Sequence, residues 1–180
     1  MLPLIIIGII GFIVASLFLF LLINNILELV GYPHKSIVVK AGRNNPKTAI
    51  INFREDANKV NEKMFMVTGG DKKFFEDIKK TLFNLIEEKN IKIEVITEDI
   101  NPILEKIQKY NSVNVYKMDT RPSHHFRIID DYRIMIEDIH DRSVKFGKHY
   151  KIIEYNRYKT GKFLRKFHKY LSLPSTYKIA

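Results

Sequence analysis

The chain predicts an α/β domain, a mixed sheet flanked by helices, behind one N-terminal transmembrane helix. Two patterns carry this expectation. Leu2 to Ile23 is apolar throughout and holds no charged residue. From Met64 onward, short β-like runs alternate with segments whose apolar residues recur at helical spacing. Strands separated by helices imply parallel pairing with right-handed crossovers.

The apolar run comes first. As a helix its length is roughly 33 Å, enough to cross a hydrocarbon core of about 30 Å. Only Met1 precedes it, so the positive n-region of a cleavable signal is missing. The reading is an uncleaved single span over Leu2 to Ile23, with residues 1–24 as anchor. Lys35, Lys40, Arg43 and Lys47 follow the span, so the positive-inside rule places the C-terminal domain in the cytoplasm, at the cell membrane.

Residues 25–63 read as a juxtamembrane segment. SIVVKAG and TAIINF flank RNNPK, which has turn chemistry, and are expected to pair as a β-hairpin. REDANKVNEK is polar and reads as helix or linker. The domain proper is expected over 64–172. MFMVT is a strand closed by Gly69-Gly70, and Asp71 caps a helix to about Lys89 that carries Phe74, Phe75, Ile78, Leu82, Leu85 and Ile86. Ile91 to Thr97 is a strand, and Asn101 to Tyr110 a helix with Pro102 near its start. Val113 to Lys117 is a strand. His124 to Ile129 and Tyr132 to Asp138 form a hairpin around Asp130-Asp131. Tyr150 to Tyr155 is a strand, Arg157 to Ser172 the closing helix, and 173–180 a tail.

Composition sets limits on the chemistry. With no cysteine, there is no disulfide, thiolate metal site or thiol nucleophile. The net charge of +10 is concentrated: from His140 to Ala180 eleven Lys and Arg face two acids. Lys162, Arg165, Lys166 and Lys169 line one side of the closing helix, opposite Phe163 and Phe167. Such a face suits a phosphate-bearing partner, either anionic lipid or nucleic acid. The competing reading is a solvated basic face on a helix that packs on the sheet.

The stretch SHHFRIIDDYRIMIEDIHD, residues 123–141, concentrates the candidate site residues. In a strand His125 and Arg127 share one face, and His124, Phe126 and Ile128 the other. His125 beside Arg127 makes a cationic pair suited to an anion, with Glu137 and His140 on or just past the next strand. His125, Glu137 and His140 could also hold zinc, but their spacing is no recognised zinc signature, and no metal or cofactor is expected. An edge hairpin whose histidines make hydrogen bonds is the plain structural alternative.

The element order, with a histidine on a late strand and an acid at the following turn, resembles one half of the phospholipase D superfamily over about Met64 to Leu171. That family carries H-x-K-x4-D, then usually a G-S-x-N strand. Here His125 brings Arg127 to the Lys position and the acid early, at Asp130 or Asp131. His124 brings Asp131 to the right distance but Phe126 to the Lys position. IEDIHD stands where G-S-x-N belongs. The resemblance implies a phosphate-binding cleft and a homodimer, since one half supplies one histidine. With the motif incomplete, binding without classical catalysis is the expectation. The alternative is a membrane-tethered phosphodiesterase, nuclease or phospholipase. There His125 is the nucleophile, Arg127 the phosphate clamp, Asp130 the turn acid, and Glu137 or His140 the orienting or proton-transfer group.

Overall fold

The structure, a computed structural model, describes residues 11–23, 26, 35–40, 46–138, 149–154 and 157–179. A helix over 11–23 (α1) precedes β1 (Lys35–Lys40), α2 (Pro46–Lys59), β2 (Lys63–Thr68), α3 (Lys72–Glu87), β3 (Lys92–Thr97) and α4 (Pro102–Ile107). Then come β4 (Val113–Met118), β5 (His124–Ile129), β6 (Arg133–Asp138), β7 (His149–Glu154), α5 (Arg157–Leu171) and β8 (Thr176–Lys178). Among the described residues no helix is long and apolar enough to cross a membrane. The described part of the expected span is helical, and its apolar side chains are exposed, Phe12 at 75% and Phe18 at 70%. Residues 1–10 lie outside the described residues.

One mixed sheet organises the domain, in the order β1-β7-β6-β5-β2-β3-β4-β8. β2, β3 and β4 are parallel, joined by the crossover helices α3 and α4. β5 lies antiparallel on β2, and β6, β7 and β1 follow in antiparallel order. The pleat sorts side chains onto two faces. Met64, Met66, Ile93, Val95 and Ile129 pack with Phe53 of α2, Phe75 and Leu82 of α3, and Leu104 of α4. Phe65, Val67, Ile96, Phe126, Ile128, Ile134 and Ile153 pack with Phe163 and Phe167 of α5.

Two expectations are corrected. TAIINF is not a strand but lies inside α2, so the hairpin with SIVVKAG does not form. β1 pairs instead with β7, Lys35 opposite Glu154. The β-branched Thr48, Ile50 and Ile51 favour a strand, but Asn52, Phe53, Asp56, Ala57 and Val60 are buried, and that spacing is helical. Pro46 stands at the helix start, where its missing N–H costs nothing. The second correction concerns the tail, which supplies β8 on the outer edge of β4.

Asp56 is the polar centre of the α2 face and only 2% exposed. Its carboxylate accepts from Arg127 Nε at 2.6 Å and from Arg133 Nε at 2.5 Å. Arg133 also pairs with Glu154 of β7, which accepts from Lys59 of α2 at 2.7 Å. The Arg127 guanidinium lies 4.9 Å from the centre of the Phe53 ring. Replacing Asp56 with Ala leaves two buried guanidinium groups without their shared anion. We expect a loss of about 3–5 kcal/mol in urea unfolding followed by circular dichroism.

Glu154 gives a pH signature. The Lys59 hydrogen bond, and then the Arg133 charge, hold its carboxyl below the usual carboxylate range. Its contribution is therefore complete above the unfolded value, about 4.3, and is lost as pH falls through the lower folded value. Unfolding stability measured from pH 6 to pH 2 (about the range of carboxylate titration) should fall less steeply in Glu154→Gln than in the wild type.

Candidate functional site

Crossovers from β2 and β3 both turn at the C-terminal ends of the parallel strands, where open α/β sheets place their ligand crevices. Gly70 sits at φ 77°, in the left-handed region. Its carbonyl accepts from Asn101 Nδ2 at 3.1 Å, while Asn101 Oδ1 caps α4 through the Ile103 and Leu104 N–H groups at 3.0 and 3.1 Å. Thr97 Oγ1 donates to the Asp99 carbonyl at 2.7 Å. Asp71 caps α3 through the Phe74 N–H at 2.7 Å. These bonds fix the two loops against each other.

The start of β5 lies beside them. His125 projects onto the α2 face, and its Nε2 lies 2.8 Å from Glu98 Oε1, just past β3. Both side chains are partly exposed. Gly69 makes room for this pair: a Cβ there would stand 3.2 Å from His125 Cε1. Glu137 is the residue directly opposite His125 on β6, and directly opposed Cβ atoms lie about 4.5–5.5 Å apart. His125 is thus an imidazole held by one carboxylate and facing the position of a second. A carboxylate at this distance orients an imidazole through the hydrogen bond.

The other candidates on this strand lie elsewhere. Arg127 shares the His125 face but is 3% exposed, with its guanidinium engaged by Asp56. It holds α2 on the sheet and does not present a clamp to a ligand. Asp130 is past the far end of β5, about 17 Å from His125 along the strand at 3.4 Å per residue. Its carboxylate accepts from the Asn61, Glu62 and Lys63 N–H groups at 2.6, 2.9 and 2.9 Å, so it staples the α2–β2 turn to the β5–β6 turn. Asp130 and Asp131 both have positive φ, 47° and 59°, the signature of a tight hairpin turn. His140 falls outside the described residues. Among the described residues no group of three or more His, Cys, Asp or Glu is placed to hold a metal. The sequence shows Gly69 as part of a turn, but not its contact with His125, and it does not single out Glu98. Their signal was a carboxylate and a glycine at the C-terminal ends of two parallel strands.

On the opposite face, Lys162, Arg165 and Lys169 of α5 are exposed. Lys166 is half-buried, its Nζ 5.6 Å from the Phe163 ring centre and 2.9 Å from His124 Nδ1.

No protein-family model matches the chain, and no curated protein matches it by sequence. Solved structures do match in fold. NucT from Helicobacter pylori superposes with a TM-score of 0.60 at 12% identity, over 81% of this chain and 100% of that one. Nuc from Salmonella typhimurium, a phospholipase D family member, gives 0.59 at 11% identity, over 81% and 99%. TrmBL2, an archaeal chromatin protein described with a novel mode of DNA binding, gives 0.59 at 14% identity, over 87% of this chain and 61% of its own. The fold is phospholipase-D-like.

Two neighbouring glycines separate the roles of this loop. Gly69→Ala should change stability by under about 1 kcal/mol, because the imidazole tip it meets can swing aside. The His125 Cε1–H signal in NMR should move. Gly70→Ala should destabilise by more than the roughly 1–2 kcal/mol of a left-handed alanine, because its Cβ would also strike the Asp99 carbonyl oxygen. Thermal unfolding of both variants checks the contrast.

Proposed function

We propose that this chain is a single-pass membrane protein whose phospholipase-D-like domain, on the cytoplasmic side, binds a phosphate-containing ligand as a homodimer without classical phosphodiester catalysis. The observation that carries this reading is the electrostatics of β5. The arginine beside His125 is neutralised by buried Asp56, and the groups nearest His125 are the carboxylate Glu98 and the Glu137 position. A phosphodiester is anionic and needs cationic oxygen binding where it reacts. On the other face, Lys162, Arg165 and Lys169 of α5 are exposed and make no ion pair among the described residues. The apolar, exposed α1 supports a lipid surface as the source of the ligand, and each near-surface Lys or Arg there contributes roughly 1 kcal/mol.

The second reading, a phosphodiesterase acting through His125, is favoured by one feature. The 2.8 Å contact with Glu98 orients the imidazole as a nucleophile or proton carrier requires.

The test is hydrolysis of a chromogenic phosphodiester and of single-stranded RNA and DNA by the full chain, with and without chelator, beside His125→Ala. We expect equal, background rates from both proteins. Turnover that is lost in His125→Ala would replace the binding reading with the enzymatic one. In parallel, the triple variant Lys162→Gln, Arg165→Gln, Lys169→Gln should lose affinity for anionic ligands. The wild type should lose affinity steeply between low and physiological salt.

A further inference from the structure

α5 reads RYKTGKFLRKFHKYL and contains no Asp or Glu. Successive residues of an α-helix turn by about 100°. Tyr158, Lys162, Arg165 and Lys169 therefore fall within about 60° of arc, in one row about 16 Å long. Thr160, Phe163 and Phe167, on the opposite side of the helix, are buried. The row thus points straight away from the sheet. Its three cations are exposed, and Tyr158 is 62% exposed.

Like charges three and four residues apart destabilise a helix unless something neutralises them. The layout of the row favours one kind of partner. Side chains along the outermost line of a helix all reach a plane at once. Single-stranded nucleic acid is held instead in a groove, with bases stacked on successive aromatic rings. This row carries one ring, at its end. A tyrosine beside cations suits a membrane interface, where the ring sits at the level of the headgroups and the cations meet anionic lipid. The exposed apolar side chains of α1 put the domain beside a bilayer in the reading above.

We propose that α5 docks flat on the anionic surface of the bilayer that anchors the chain, with Lys162, Arg165 and Lys169 against headgroup phosphates and Tyr158 at the interface. This inference rests on the phosphate-binding reading of α5. It fixes the partner as a lipid surface and adds an orientation. The sheet packs α5 on one face and α2 and α3 on the other. Docking through α5 therefore turns α2, α3 and the His125–Glu98 pair away from the bilayer, so that His125 meets solutes and not the lipids beneath.

The chain has no cysteine, so a single introduced one carries a fluorophore without competing sites. Ser172→Cys lies beside the row, just past α5, and Lys73→Cys lies on the outward side of α3, and both positions are exposed. The full chain, labelled at one or the other, is placed in bilayer discs that contain lipids with quencher headgroups. The discs are phosphatidylcholine, with or without phosphatidylserine. We expect quenching of the Ser172→Cys label in the phosphatidylserine discs only, weakening as salt rises, and none at Lys73→Cys in either disc. Adding Lys162→Gln, Arg165→Gln and Lys169→Gln together should lower the docked-to-free ratio by on the order of a hundredfold, at roughly fivefold for each cation. Tyr158→Ser should lower it by a factor that salt does not change. Thermal unfolding shows whether each variant is folded. Equal quenching at both labels, or quenching that survives in the folded triple variant, overturns docking through this row. Wild-type docking in Tyr158→Ser overturns the part given to the tyrosine. Absence of quenching in phosphatidylserine discs also overturns the docking. In that case, salt-sensitive binding of single-stranded RNA or DNA that the triple variant loses leaves the phosphate-binding reading of α5 standing, with a nucleic acid as partner. Absence of both overturns both.

Discussion

The Asp56 carboxylate, shared by Arg127 and Arg133 under α2, is the interaction on which the sheet's α2 face depends. It joins a helix to two strands, and through Arg133 and Glu154 it reaches a third. Burying these charges is costly, and such a group holds only when each ion has its partners in place. That requirement gives α2 one register on the sheet. A helical slip by one residue would turn Asp56 away and leave both guanidinium groups buried without an anion. The same requirement settles the character of β5. An arginine in line with a histidine suggests an anion clamp until its counter-ion is found. Here the counter-ion comes from the same chain.

Local physics made much of the fold legible. α3 shows its cap at Asp71 and its face at Phe75, Ile78, Leu82, Leu85 and Ile86 within a single window. The pleat placed His125 and Arg127 together without any tertiary information. What the sequence hid was set over distance. Asp56 is separated from Arg127 by 71 residues and from Arg133 by 77, and nothing local marks it as a buried anion. It lies in a stretch, REDANKVNEK, whose polarity fits a helix or a linker equally. TAIINF was misread for a related reason. Its β-branched residues favour a strand, but the buried positions of α2 and of the residue after it run from Asn52 to Val60, mostly beyond that run. Packing of the helix overrode propensity.

The site was legible to the same degree. A histidine-rich strand start was visible, and its partners were not. Glu98 is 27 residues away and meets His125 beside Gly69, which has no side chain to crowd the pair. Asp130 was read as part of the chemistry because it follows the histidines closely in sequence. In the fold, closeness along a strand is separation in space, and Asp130 ties two turns together at the opposite end of the sheet.

Consecutive histidines on one strand therefore stand in two electrostatic environments. On the α2 side, Arg127 and Arg133 are paired with Asp56, and His125 contacts Glu98. On the α5 side, His124 Nδ1 lies 2.9 Å from the Lys166 ammonium. In the proposed reading, anion binding falls to the face built from α5, whose Phe163 and Phe167 pack on the sheet and whose Lys162, Arg165 and Lys169 are exposed. The alternation of a single strand is enough to turn the two histidines to opposite faces.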